Sequence, residues 1–304
     1  MIELRHISKQ FGRYSALEDV TARIGDESIY GLIGYNGAGK TTLLNMISGL
    51  YLPSGGEIVM DVDGEMMNPF DNVKVKRNLF YVSDDPYFMS SANLLDMRDF
   101  YKGFYRNFSD STFEKLVKIC KLDPEKRIGD FSKGMKRQAA ILLGMSSRVR
   151  YLLLDESFDG LDPNMRVLVS NLLTEYLLEV GATIVVASHN LYELENICDT
   201  IGMINGKRMI FSKDIEDVRA KVKKYRVALD KKASEEVFAP LHVKNLKGEG
   251  NIYTFVCGEE ERAIRERLSE EHEILLFESY PLALNEIFKA EMGEGEDDFE
   301  GIFE

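Results

Sequence analysis

Nine consecutive residues carry the clearest chemistry: Gly34-Tyr35-Asn36-Gly37-Ala38-Gly39-Lys40-Thr41-Thr42. They match the G-x-x-x-x-G-K-[ST] pattern of a phosphate-binding loop. Glycines at 34, 37 and 39 let backbone N–H groups turn inward on oxygens, and the positive end of a following helix adds to the attraction. Lys40 is expected at the β- and γ-phosphates of a nucleotide, and the Thr41 hydroxyl at a Mg²⁺ ion. The expected nucleotide contacts in this loop are therefore Gly34, Asn36, Gly37, Ala38, Gly39, Lys40, Thr41 and Thr42.

A second constellation narrows the chemistry. Tyr151-Leu152-Leu153-Leu154-Asp155-Glu156 reads as an apolar strand ending in two acids. Asp155 suits the Mg²⁺ shell, and Glu156 suits a general base that polarises a water. An activated water points to hydrolysis rather than to transfer onto a metabolite.

These residues must be held by buried elements. The runs SIYGLIG, RYLLLDES and ATIVVASH are nearly continuous apolar strands, as in a parallel sheet covered on both faces. Val169, Leu172, Leu173, Tyr176, Leu177 and Val180 form one stripe of a helix. Asn205-Gly206 signals a two-residue hairpin. The stretch from about 90 to 147 lacks strand runs and reads as a helical subdomain inserted into an α/β core.

After a charged stretch at 213–224 the pattern changes. A strand is expected at YRVALD, a helix at SEEVFAPL and a hairpin turning at Gly248–Asn251. A helix at EEERAIRERLSEE and a strand at EILLFESY follow. That β-α-β-β-α-β order is the ferredoxin-like one. A helix at LALNEIFKAEM and an acidic, disordered tail over 291–304 complete the reading. The expected divisions are 1–213, 224–290 and 291–304.

With these motifs placed, the chain resembles the ATP-binding cassette (ABC) ATPases over roughly residues 2–211. Phe131-Ser132-Lys133-Gly134-Met135-Lys136-Arg137-Gln138 is similar to the family signature. Ser157-Phe158-Asp159-Gly160-Leu161-Asp162 is similar to its D-loop, and Ser188-His189 to its switch histidine. Phe11-Gly12 stands where the family places an adenine-stacking aromatic, with Tyr14 as a competitor. Tyr81-Val82-Ser83-Asp84-Asp85-Pro86 stands where it has its Q-loop.

The resemblance implies a P-loop cassette with a RecA-like core, binding ATP and Mg²⁺. It gives Glu156 and His189 catalytic roles. Phe11 would stack on adenine, and Ser132, Gly134 and Asp162 would meet nucleotide across a cassette dimer. Thr41, Asp155 and Asp84 would hold the metal. Asp84 replaces the usual glutamine, with Asp85 as the alternative alignment and a turn-capping pair before Pro86 as the plainer one. Lys133 and Met135 also depart from the usual signature, in a form resembling bacterial export-type cassettes.

The implied function is the ATPase subunit of a transporter, more in the manner of exporters, with a separate transmembrane chain and a second cassette as partners. The implied location is the inner face of the cell membrane. The other reading is a soluble, non-transport ABC ATPase.

Composition fits either. The 304 residues hold 38 Lys and Arg against 51 Asp and Glu, a net charge of −13 that disfavours a nucleic-acid-coating surface. Three scattered cysteines show no metal-ligand spacing. No apolar run approaches the ~18 residues of a membrane span. The N-terminal MIELRHISKQF is charged from its third residue, so no signal peptide is expected.

Overall fold

The computed structural model describes residues 1–217, 222–282 and Glu286. The chain divides into two units, Met1–Lys213 and Asp214–Glu304.

The first unit holds two sheets. Strands β1 (Ile2–Phe11), β2 (Tyr14–Ile24), β4 (Gly55–Val62) and β5 (Glu65–Met67) form one, in the order β2-β1-β4-β5. Its measured pairings are antiparallel throughout. The second sheet has six strands: β3 (Ile29–Ile33), β6 (Leu79–Val82), β7 (Tyr151–Asp155), β8 (Thr183–Ser188), β9 (Thr200–Asn205) and β10 (Arg208–Asp214). Their order is β10-β9-β3-β8-β7-β6. From β9 through β6 every pairing is parallel.

Strands β3, β7 and β8 are buried at every position. That is why they read as apolar runs with no alternation. The antiparallel sheet had no such signature, because its strands alternate buried and exposed residues. Helix α1 (Lys40–Ile47) packs between the two sheets. Its Leu43, Leu44, Met46 and Ile47 share a core with Ile2, Leu4, Leu17 and Val20 on one side and Tyr151, Leu153, Val185 and Ala187 on the other.

The stretch between β6 and β7 carries α3 (Leu94–Lys102), α4 (Asp110–Cys120) and α5 (Lys133–Ser146), after the short α2 (Val73–Arg77). Asn93 and Ser109 cap α3 and α4. Helix α6 (Pro163–Val180) buries Val169, Leu173 and Tyr176, a narrower stripe than the periodicity gives, because Leu172, Leu177 and Val180 flank it half-exposed. The β9–β10 turn is displaced by one residue from Asn205-Gly206. Asn205 ends the strand, and Gly206 and Lys207 take the two positive-φ positions, 54° and 71°.

The second unit is a four-stranded sheet of order β12-β13-β11-β14, from β11 (Lys223–Leu229), β12 (Lys244–Glu249), β13 (Ile252–Cys257) and β14 (Ile274–Pro281). All its pairings are antiparallel. Helix α8 (Glu261–Ser269), which follows the short α7 (Leu191–Leu194) in chain order, buries Ile264 and Leu268 on it. The segment SEEVFAPL forms two 3₁₀ turns, Glu235–Val237 and Ala239–Leu241, instead of the expected helix. Pro240 has no N–H to give a helix, and Ser234 makes no side-chain cap. Phe238 from this segment lies 4.9 Å from Tyr253 in the core. Apart from Leu282 and Glu286, the helix expected at LALNEIFKAEM and the acidic tail lie outside the described residues.

Leu153 is wholly buried in β7, between β8 and β6. Replacing it with Ala leaves a cavity and is expected to cost about 2–5 kcal/mol. The check is the thermal unfolding midpoint, which is expected to fall by several degrees; an unchanged midpoint would contradict the packing.

Candidate functional site

Four chain segments converge at the carboxyl ends of adjacent parallel strands, where open α/β sheets bind ligands. Strand β3 ends at Ile33 and runs into the glycine-rich loop. Strand β7 ends at Asp155 and β8 at Ser188, while β6 ends at Val82 beside Leu154. The Glu156 N–H donates to the Ala187 carbonyl (2.9 Å), which continues the ladder one step past β7.

The loop is shaped by its neighbours as much as by its ligand. A Cβ at Gly34 would lie 2.5 Å from the Ile204 carbonyl oxygen. Gly39 caps α1 at φ 110°, and a Cβ there would meet Leu17 Cδ2 at 2.5 Å. Gly37 also has positive φ, but open space around it. Gly34 is thus demanded by close packing, Gly37 by conformation and Gly39 by both.

The charged centre is a line of three groups. Lys40, only 4% exposed, donates to the Gly34 carbonyl (2.7 Å) and pairs with Glu156 Oε1 at 3.0 Å. Glu156 Oε2 accepts from the His189 backbone N–H (3.3 Å) and faces His189 Nδ1 at 2.8 Å. Burial pushes the Glu156 carboxyl up, but the hydrogen bonds and charges of Lys40 and His189 outweigh it. The group lies below its ordinary value and is ionised. Glu156 itself sits in the left-handed region at φ 45°, which turns its side chain to Lys40 and His189.

Asp155 is fully buried and behaves oppositely. Burial is the main cause of its raised pKa, opposed by hydrogen bonds from Thr41 and Tyr81 and reinforced by the nearby charges of Glu156 and Asp84. Tyr81 Oη donates to Asp155 Oδ2 at 3.2 Å, while Oδ1 has no hydrogen-bond partner among the described residues. A buried carboxylate with one free oxygen, next to a threonine hydroxyl and another carboxylate, fits a hard divalent cation with oxygen ligands. Thr41 and Asp155 are the residues that would hold it.

Asp84 is placed differently from the expectation. One of its carboxylate oxygens accepts from Arg137 Nη2, and its backbone carbonyl accepts from the same nitrogen at 3.0 Å. Its carboxylate is thus a salt-bridge partner of Arg137, so the metal role expected for it gains no contact here. Its charge still acts on Asp155.

Ser132 caps α5 through a bond from the Met135 N–H (3.2 Å), and Asp162 caps α6 through one from Met165 (3.1 Å). Gly134 packs on the D-loop, where a Cβ would lie 2.7 Å from the Gly160 carbonyl oxygen. Within this chain these three residues build helix starts. Phe11 is 44% exposed, with Lys9 Nζ 5.0 Å from its ring centroid and the Tyr51 ring edge-on at 5.6 Å. An exposed ring face of this kind can stack a base.

Three contributions were not legible as site residues. Tyr81 touches Asp155, although it was visible only as a letter of the Q-loop segment. Arg137 is buried beneath the Glu156 turn. Glu193, one turn past His189, accepts from Ser188 Oγ (2.7 Å) and pairs with Arg166 (3.3 Å), which braces the histidine loop. No local pattern marks them, because their roles depend on burial and on partners elsewhere in the fold.

The comparisons agree with this geometry. Residues 17–159 match the ABC transporter family. The ABC transporter ATP-binding protein YtrB of Bacillus subtilis (strain 168) is 27% identical over 296 residues, 96% of this chain and 98% of that one. YcbN of the same organism, an uncharacterized ABC transporter ATP-binding protein, is 30% identical over 74% of this chain and 73% of its own. The bacitracin transport ATP-binding protein BcrA of Enterococcus faecalis is 29% identical over 74% and 73%. A solved ATP-binding subunit of an ABC transporter superposes with a TM-score of 0.65 at 26% identity, covering 72% of this chain and 92% of that chain. The chain belongs to the ATP-binding proteins of ABC transporters: a P-loop cassette that binds and hydrolyses ATP.

Two outcomes follow from the charges. Glu156 pairs with the Lys40 ammonium, so its charge would face incoming phosphates. Glu156→Gln is therefore expected to bind ATP at least as tightly as the wild type while hydrolysing it about 10²–10⁴-fold more slowly. Equilibrium binding and steady-state turnover check this, and weaker binding with normal turnover would contradict it. The raised pKa of Asp155 means that its charge opposes folding at neutral pH, and that this penalty disappears as the group protonates at low pH. Asp155→Asn is expected to raise the nucleotide-free melting temperature at pH 7, with the gain shrinking as pH falls towards 4; a lower melting temperature at pH 7 would refute it.

Proposed function

We propose that this chain powers an exporter whose membrane-spanning part is a separate polypeptide. It would work as one of two cassettes on the inner face of the cell membrane. The observation that carries this reading is the Lys40–Glu156–His189 line, an arrangement suited to hydrolysis in a chain where no described helix is long and apolar enough to cross a membrane. Work done on a membrane then requires a partner.

In this mechanism the incoming β- and γ-phosphates take the Lys40 ammonium from Glu156. Glu156, ionised and still aligned by the His189 backbone, is left to accept a proton from the attacking water. The His189 side chain meets the γ-phosphate, and Phe11 stacks on the adenine. Thr41 and Asp155 would hold Mg²⁺, which would supply charge neutralisation at the phosphate oxygens. Ser132 is exposed at the start of the 14-residue α5, so its hydroxyl and that helix's N-terminus suit contact with nucleotide on a second cassette, with Gly134 and Asp162 beside it.

Export is favoured by Lys133 and Met135 in the signature and by the likeness to BcrA, which is named for bacitracin transport. Relatives named for methionine import match over a similar share of the chain, so direction rests chiefly on the signature. The likeness to YtrB runs through both units, which supports a role for the second unit in contact or dimer stabilisation.

The test is affinity isolation of the tagged full-length chain from gently solubilised membranes of its host, followed by mass spectrometry. A multi-span membrane protein in stoichiometric amount is the expected result, and the Glu156→Gln variant is expected to accumulate an ATP-bound dimer. Recovery only with soluble partners would overturn the transporter reading.

A further inference from the structure

Arg137 is the largest wholly buried side chain among the described residues, 1% exposed, and it lies on α5 within the signature segment. Its guanidinium joins three separate pieces of chain. Nη1 donates to the carbonyl oxygens of Glu156 and of Asp159, the latter at 2.6 Å. Nη2 donates to the backbone carbonyl and the carboxylate of Asp84. Asp84 is the one acid in close contact with this buried charge, since the Asp159 carboxylate stands off at 3.9 Å. A buried cation without a partner is costly, so the position of Asp84 and the aim of the guanidinium are tied together.

The acceptors are the backbone of the very turn that presents the general base. Glu156 adopts φ 45°, and Gly160 follows at 71°. The Glu156 carbonyl, besides meeting Arg137, accepts from the Asp159 N–H at 3.1 Å. The turn is thus pinned from below by Arg137 and from above by the Lys40 and His189 contacts to its carboxylate. Only a planar fork of donors can serve two carbonyls on one nitrogen and an acid on the other.

We propose that Arg137 is a positioning residue of the ATPase. It holds the Glu156 turn in its left-handed form, and Asp84 orients it for that purpose. Asp84 thereby takes a role in this chain different from direct metal contact. Its side chain is 56% exposed, so a change in its surroundings reaches the base position through one buried guanidinium. This inference depends on ATP hydrolysis by the chain and not on what is transported or in which direction.

The test uses the purified full-length chain, measuring ATP affinity, steady-state kcat and KM, and melting temperature. Asp84→Asn is nearly isosteric and keeps the backbone contact to Nη2, so it is expected to fold. It is expected to lower kcat about tenfold while ATP affinity and KM stay within about twofold, as for a misaligned reacting group. Arg137→Lys retains the charge but not the fork and is expected to lose more rate than Asp84→Asn. In the double variant Asp84→Asn/Arg137→Lys the losses are expected not to multiply, since both act through one contact. Unchanged kcat in Asp84→Asn would overturn the proposal. So would an Arg137→Lys variant whose rate loss merely tracks lost ATP affinity and lowered melting temperature, which marks plain structural support. A wild-type chain without turnover would instead remove the hydrolytic reading itself, and this inference with it.

Discussion

Everything at the nucleotide site depends on one buried charge. The Lys40 ammonium sits at the start of α1, almost without solvent, and needs an anion. That anion is Glu156, which is in turn held by His189. The same contact places a carboxylate beside the phosphate-loop lysine, where a base for an attacking water would stand. Phosphate oxygens compete for Lys40 because they carry more charge and also meet the backbone N–H groups of the loop.

The scaffold serves that arrangement through parallel pairing. Strands β3, β7, β8 and β6 lie side by side in one direction, so their carboxyl ends deliver Lys40, Asp155 with Glu156, His189 and Asp84 to a common edge. Residues separated by more than a hundred positions in the chain become neighbours because each follows a strand in the same register. Helix α1 sits between the parallel sheet and the antiparallel one, and the core it shares with both fixes the axis along which its N-terminus points. The opposite behaviour of two adjacent acids comes from the same geometry. Asp155, the last residue of β7, is buried with only hydroxyl donors and is pushed towards protonation. Glu156, one residue past the strand, reaches Lys40 and is held ionised. That division suits a cation ligand next to a proton acceptor.

The departures from the usual cassette motifs also gain a physical account. A carboxylate at position 84 is surprising when considered alone. It makes sense beside a buried arginine at position 137, because each supplies the charge that the other needs. Gly134 is required by the approach of α5 to the Gly160 carbonyl, so its place in the signature has a packing reason within the chain.

Whereas His189 stood out only through the family resemblance, the sequence by itself determined the phosphate loop, the two-acid strand end and the parallel α/β core. Each of these is written locally, either as a motif of special residue types or as an unbroken apolar run. It also determined the change of character after residue 213. Features that arise from distant partners were decided only in three dimensions. The antiparallel sheet is made of half-exposed strands whose pairing depends on distant register. The SEEVFAPL segment gave up its helix because Pro240 withholds a donor and Phe238 finds its place in a core. Arg137, Tyr81 and Glu193 carry no local sign of function, because a side chain's hydrogen-bond partners across the fold are invisible to spacing along the chain. Burial of a charge is a tertiary property, and at this site it sets Asp155 and Glu156 apart and pairs Asp84 with an arginine.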